Sequence, residues 1–165
     1  MRSYVATAII QVVLFTIGIF SFPLAAESAD ATTYAGWEKD SAYNGHYNYK
    51  ERDSLKGKVL KFKQVTPLPG MAPGMALVFD EGGEEILVHV CPWAYADPEK
   101  TGIRKDIKTK ISGSWATIDG QDVFLAAKIK QGENFEYKVR LTKDGTPFWT
   151  MSPEELAKEA SAPQE

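Results

Sequence analysis

The stretch that decides the fold runs from Lys108 to Lys130 and reads KTKISGSWATIDGQDVFLAAKIK. Two runs rich in β-branched and aromatic residues, 108–118 and 122–130, flank the dipeptide Asp119-Gly120. Asp-Gly is strongly preferred in type I′ turns, because both central residues of such a turn take a positive φ. The segment therefore predicts a β-hairpin with two long strands.

Upstream of this hairpin, glycine turns separate three more runs of the β type. The first, residues 57–67, carries lysines on a partly solvated strand. The next two, 75–80 and 85–91, flank Glu81-Gly82-Gly83-Glu84, where glycine accepts the φ values of a tight turn. These runs predict a single strand followed by a second hairpin.

Short helices are predicted between the two hairpins and near the C-terminus. Asp97 precedes Pro98 and is expected to cap one helical turn. Ser152-Pro153-Glu154-Glu155 has the spacing of a capping box and predicts a brief helix before a polar tail. A third, shorter hairpin is predicted from residues 136–142 and 147–150 around Asp144-Gly145.

Three strands, a helical connection and two further strands form the order of an OB-fold, a five-stranded barrel. Gly57 and Gly113 interrupt strand patterns where barrel corners and bulges need a residue without a side chain. We therefore predict a mainly β protein: a five-stranded OB-fold-like barrel with a short connecting helix, an N-terminal irregular arm and a C-terminal hairpin plus short helix. A β-sandwich is the alternative.

The N-terminus has the pattern of a secretory signal peptide. Arg2 precedes an uncharged, mostly apolar run over residues 5–20, and small residues follow at Ala25 and Ala26. This predicts export to the periplasm or beyond the cell, with cleavage after Ala26. Retention as an anchor is the alternative, because residues 5–26 could span a bilayer of about 30 Å as a helix.

The predicted organisation has four parts. Residues 1–26 are the signal peptide, 27–56 an irregular arm, 57–151 the barrel with its C-terminal hairpin, and 152–165 a short helix and tail. The arm is rich in tyrosine and tryptophan. Because such rings normally bury their faces, we expect the arm to pack against the barrel.

Charge and cysteine content narrow the range of functions. Without residues 1–26 the chain has 18 basic and 22 acidic residues, a net charge of −4. Nucleic acid is not an expected partner, because phosphate binding needs a basic field that this balance does not supply. Cys91 is the only cysteine, so no internal disulfide can form.

Several motifs resemble small exported bacterial proteins of the periplasmic OB-fold group. The matching features are a Pro-Gly-Met-Ala-Pro-Gly-Met loop after the first strand, a third strand with His89 followed by Pro92 and Trp93, Gly113-Ser114, and the Asp119-Gly120 turn. The resemblance covers residues 57–130. It implies an OB-fold that works through its barrel face, with Cys91 at a position where that group has glycine.

The leading hypothesis is a non-enzymatic binding or accessory module whose partner is an envelope protein or a small-molecule ligand. No catalytic motif is visible and no cofactor is expected. Aromatic rings such as Trp115 and the lysines of the first strand could form a ligand-binding groove of the kind found in OB-folds. In the competing interpretation the rings belong to the core and the lysines to a solvated strand face. The predicted binding residues are Met71, Met75, Trp93, Tyr95, Lys61 and Lys63.

The alternative hypothesis is a copper-binding or redox accessory protein. Its ligands would be Met71, Met75, His89 and Cys91, a soft donor set of the kind that copper prefers. His89 and Cys91 are two residues apart, so on a regular strand both side chains project from the same side. These residue types also fill cores, which is the competing interpretation. A cysteine nucleophile activated by His89 or His46 is the most remote option.

Overall fold

A computed structural model describes residues 33–161. The predicted signal peptide and the last four residues of the polar tail lie outside the described residues. The strands are β1 (Asp53–Val65), β2 (Gly74–Glu81), β3 (Glu84–Pro92), β4 (Lys108–Ile118), β5 (Gln121–Gln131) and β6 (Phe135–Lys138). The helices are α1 (Pro98–Thr101) and α2 (Pro153–Ser161), with 3₁₀ turns at Asn44–His46 and Phe148–Thr150.

The strands form one sheet in the order β3-β2-β1-β4-β5-β6, with antiparallel neighbours. In addition β3 runs parallel to β5, through the pairs Val88 with Phe124 and His89 with Leu125. This contact closes five strands into a ring and removes the free edges of β3 and β5 at that point. The predicted fold class is confirmed as a mainly β, barrel-like sheet with few short helices.

β1 is long and bent, and it pairs with a different strand on each side. Its first half pairs with β4 and its second half with β2, with a register shift between Val59 and Lys61. Gly57 lies between the two halves, and a Cβ there would overlap the carbonyl oxygen of Asp80. At Gly113 a Cβ would overlap the carbonyl oxygen of Leu125. Both glycines therefore permit close strand approach, as the sequence predicted.

Two of the three predicted hairpins are confirmed, and the third is wrong in its second half. Asp119 and Gly120 have φ values of 50° and 75°, as a type I′ turn requires. In the predicted third hairpin, the first strand is present as β6, but it pairs with β5. Residues 147–150 form no strand, and a single bridge between Arg140 and Pro147 joins the two predicted segments. The chain then turns at Phe148–Thr150, where the Trp149 indole donates to the carbonyl of the arm residue Trp37 at 2.7 Å.

Both predicted helix caps are present. The Asp97 carboxylate accepts hydrogen bonds from the backbone amides of Glu99 and Lys100 at the start of α1. At α2 the Ser152 hydroxyl accepts from the amide of Glu155, and the Glu155 carboxylate accepts from the amide of Ser152. This reciprocal pair is a capping box.

Two apolar clusters lie on opposite faces of the sheet. Along β5, Phe124 and Ala126 belong to the cluster inside the ring, whereas Val123 and Leu125 belong to a second cluster. The arm residues that cover the second cluster are Trp37, Tyr43 and Tyr47, all buried. The prediction that the arm packs on the domain is confirmed, although β1 begins at Asp53 and not at Gly57.

Candidate functional site

A surface cleft opens between the strands β1, β2 and β3 and the β4–β5 hairpin. Its volume is about 400 Å³. Lys61 pairs with Val78, and Val78 pairs with Leu87, so one row of the sheet forms the floor. We call this the Trp115 cleft; its principal lining residues are Lys61, Lys63, Val78, Leu87, Trp115 and Asp122.

Trp115 is the most exposed large apolar side chain in the described part of the chain, at 44%. Its ring meets the buried ring of Phe124 edge to face, with the centroids 5.2 Å apart. Its indole Nε1 donates to the Asp53 carboxylate at 3.4 Å. The ring is therefore held in place while much of its surface stays available to a ligand.

Charges of both signs surround this ring. Lys61 and Lys63 are exposed on β1, and carboxylates line the cleft at Glu84, Glu85 and Asp122. An aromatic surface beside cations and carboxylates can bind through stacking and paired charges. It does not resemble a closed, apolar pocket for a small cofactor.

The structure brings only part of the predicted binding set together. Lys61 and Lys63 line the Trp115 cleft. Trp93 and Tyr95 instead pack half-buried against the cluster inside the ring, and the Tyr95 ring lies 6.2 Å from that of Trp149. The predicted methionines are also placed elsewhere, as core residues: Met71 under the arm and Met75 inside the ring.

His89 lies beneath the arm. The Tyr43 hydroxyl is 3.3 Å from its Nδ1, and the two rings stack at a centroid distance of 6.0 Å. Burial, reinforced by the positive charge of Lys63, lowers the pKa of His89 to about 4. The imidazole is therefore neutral near pH 7, and its Nδ1 can accept a hydrogen bond from the Tyr43 hydroxyl.

Cys91 lies inside the ring, opposite Met75 in the pairing of β3 with β2. Its Sγ is 3.5 Å from the carbonyl oxygen of Ala96. Burial raises the pKa of the thiol to about 12. The protonated thiol is a poor nucleophile and a poor metal ligand.

The expectation that His89 and Cys91 project from the same side is wrong. The register between β2 and β3 shifts, so that Ala76 pairs with His89 and Met75 pairs with Cys91, leaving Val90 as an extra residue. Such a bulge reverses the alternation of side chains beyond it. His89 therefore faces the arm cluster while Cys91 faces the ring interior, and the four predicted copper ligands are divided between these two surroundings.

Arg140 is a residue whose importance the sequence did not reveal. Its guanidinium is buried between the rings of Tyr47 and Trp149, 4.9 and 5.0 Å from their centroids. Within residues 33–161 it forms no ion pair with a carboxylate. Cation–π contacts with one ring from the arm and one from the C-terminal segment join these two parts of the chain.

The described residues contain neither a metal-binding cluster nor a membrane-spanning helix. Across residues 33–161 there is no group of three or more His, Cys, Asp and Glu side chains placed to hold a metal ion. Over the same range no helix has the length and apolarity needed to cross a bilayer.

The ring of strands and the Trp115 cleft define a class: small, mainly β proteins with an open surface cleft of mixed charge. Residues 51–136, slightly more than half of the chain, match the MamS/MamX magnetosome protein family, and the chain belongs to that family. The searches of curated proteins and of solved structures found no match.

Proposed function

We propose that this protein is an exported, non-enzymatic accessory protein of the magnetosome that binds a protein partner through the Trp115 cleft. The observation that carries the proposal is the held but 44% exposed ring of Trp115 beside Lys61 and Lys63. Tryptophan is enriched among the residues that dominate binding energy at protein interfaces. The family assignment supports an accessory role in magnetosomes.

The shape of the cleft favours a protein over a small molecule. The cleft is open, and its wall is built from neighbouring strands and a hairpin tip. Small-molecule sites usually enclose most of the ligand surface. Lysines and carboxylates around one aromatic anchor match the polar rim and central ring of a protein interface.

The export part of the proposal is based on the signal peptide predicted over residues 1–26. The non-enzymatic part is based on where the reactive side chains lie. His89 and Cys91 carry strong pKa shifts, yet both are buried and neither lines the Trp115 cleft. Cell fractionation tests the export proposal: the chain should be recovered from the periplasm or the medium.

The binding proposal can be tested by site-specific crosslinking in cells. A photoreactive amino acid is placed at position 115 of the full chain and, as the matched control, at Tyr49, which is 38% exposed. We expect a discrete crosslinked protein from position 115 only. Equal products from both positions, or none from 115, would contradict the proposal.

Affinity for the crosslinked protein, once purified, gives the quantitative test. Trp115→Ala should weaken binding by about thirty-fold, the loss typical of a central tryptophan. Tyr49→Ala should change it little. Because Trp115 also packs on Phe124, the double variant Lys61→Gln/Lys63→Gln serves as a second probe that leaves the core intact. Unchanged affinity in both cleft variants would refute the role of the cleft.

Copper binding, the alternative from the sequence, has weaker support. Its donors would have to leave two different apolar surroundings, and Cys91 would have to lose a proton held with a pKa of about 12. Titration of the purified chain with cuprous ion decides the matter. Stoichiometric uptake that Cys91→Ser and Met75→Leu abolish would favour copper over the proposed role.

A further inference from the structure

One face of the sheet carries a dense array of lysines. Lys56 pairs with Lys110 and Lys110 with Lys130, which makes one row across β1, β4 and β5. Lys58 pairs with Lys108 in the row beside it, and Lys128 pairs with Lys138 in the row on the other side. We call this surface the lysine face; its members are Lys56, Lys58, Lys108, Lys110, Lys128, Lys130 and Lys138.

Strand geometry fixes the spacing of these charges. Alternate residues of a strand project from the same side, so lysines on one strand repeat about every 6.8 Å, and neighbouring strands lie about 4.8 Å apart. The residues between them point inward: Leu55, Thr109, Ile111 and Ile129 are buried. The sheet therefore holds the lysine stems at fixed intervals in two directions.

Few carboxylates neutralise the lysine face. Glu136 pairs with Lys130 at 2.8 Å and with Lys128 at 3.9 Å, and Lys58 lies 4.0 Å from Asp80. The exposed side chains of Lys56, Lys108 and Lys110 form no ion pair within residues 33–161. These three adjacent ammonium groups repel one another, and an anion placed between them would relieve that repulsion.

The surface is concave at this point. A hollow of about 620 Å³ is lined by Lys56, Lys108, Lys110 and Lys130 together with Gly132 and Glu133. A second hollow of about 290 Å³ continues over Ser54, Ser112 and Lys128 to Arg52. Lys110 lines both hollows, so the two adjoin on β4, and together they make a mainly basic groove whose carboxylates are Asp53 and Glu133.

We propose that the lysine face binds an acidic, extended segment of a protein partner. The lysines lie about 4.8 Å apart across the strands and about 6.8 Å apart along them, and carboxylates at alternate positions of an extended chain repeat at the second of these intervals. The groove also fits a polypeptide better than a flat bilayer. The exposed large apolar residues of the described chain, Tyr49 and Trp115, line neither hollow, so no apolar side chain is placed there to insert into lipid.

This inference is independent of the Trp115 cleft, because the two surfaces share no lining residue. Either can fail in an experiment without affecting the other.

The probe for the test is a fluorescein-labelled peptide of alternating glutamate and threonine, about ten residues long, titrated with the full chain at low salt. The test variant is Lys56→Gln/Lys108→Gln/Lys110→Gln. The control variant, Lys39→Gln/Lys50→Gln/Lys158→Gln, removes the same charge from exposed lysines elsewhere. Because all six lysines are exposed, the thermal transitions of both variants should match that of the parent protein.

We expect saturable binding to the parent and control proteins, about tenfold weaker binding to the test variant, and loss of binding at about 1 M salt, where charges are screened beyond about 3 Å. Equal weakening in both variants would overturn the proposal. So would failure of the peptide to bind, or tighter binding of the parent protein to anionic phospholipid vesicles or to a single-stranded oligonucleotide of equal charge.

Discussion

The imidazole of His89 shows how the surroundings of one side chain link pH to stability. The arm covers it, the Tyr43 hydroxyl lies at its Nδ1, and Lys63 adds a positive charge nearby. Burial beneath the arm and the positive charge of Lys63 both favour the neutral ring. Because the pKa is about 4 in the folded protein and about 6.5 in the unfolded chain, the unfolded chain binds the proton more tightly.

This difference predicts a stability loss in mild acid. The contribution of His89 is complete above about pH 6.5 and is lost as the pH falls towards 4, because the unfolded state takes up the proton first. Between pH 7 and pH 5 the loss should be about 2 kcal/mol, measured by urea unfolding. The variant His89→Gln should lack this component. His46→Gln, which changes an exposed histidine, should retain it. Equal pH slopes in the parent and His89→Gln proteins would contradict the assignment.

At the scale of the strands, small irregularities decide which residues meet. The predicted alternation along β3 placed His89 and Cys91 together, and the extra residue at Val90 separates them. A bulge depends on how two strands pair, so a single strand's sequence contains no direct sign of it. Turns and caps were predictable because Asp119-Gly120 and Ser152 act through their nearest neighbours.

The bend of β1 yields a prediction at this scale. Gly57→Ala should lower the free energy of unfolding by about 3 kcal/mol, because the new Cβ would overlap the Asp80 carbonyl oxygen and force the backbones of β1 and β2 apart. Gly45→Ala is the matched control: no atom lies within 4 Å of its Cβ position, so stability should change by less than about 1 kcal/mol. Denaturant unfolding measures both. Equal effects of the two substitutions would show that β1 and β2 are not packed as described.

At the scale of the whole molecule, two parts of the chain that are remote in sequence complete the structure. The arm and the segment after β6 meet at Arg140, Trp149 and Trp37, outside the ring. The sequence predicted that the arm would be buried, because it is rich in aromatic residues. The sequence did not predict which residues the arm contacts. Trp37 and Trp149 are far apart in sequence, and they meet only because the strands between them close into a ring.

Cys91 provides a test of this closed architecture. Because it is buried inside the ring and its thiol pKa is about 12, a thiol-reactive disulfide reagent at pH 8 should label the native chain only as fast as the ring opens. In denaturant, labelling should be complete at once. The control, Cys91→Ser/Ala94→Cys, moves the thiol to an exposed position and should react during mixing. Rapid labelling of the native parent protein would show that the interior is open.

Much of the candidate site could not be predicted, because it depends on which strands pair with one another. The net negative charge argued against any polyanion, yet the Lys-x-Lys patterns at 56–58, 108–110 and 128–130 each place two charges on one side of a strand. Only the strand order brings these pairs together. Lys61 and Lys63 were predicted to join aromatic rings such as Trp115 in an OB-fold groove, and the structure places these three residues in one cleft.

The lysine face gathers seven positive charges on one side of the sheet. Since the whole chain has a formal net charge of −3, the rest of the chain carries a net charge of −10. A negatively charged neighbour will rotate the approaching protein before contact, so that its positive side arrives first. The rate of encounter will then depend on ionic strength with the sign expected for a cation, although the protein as a whole is an anion.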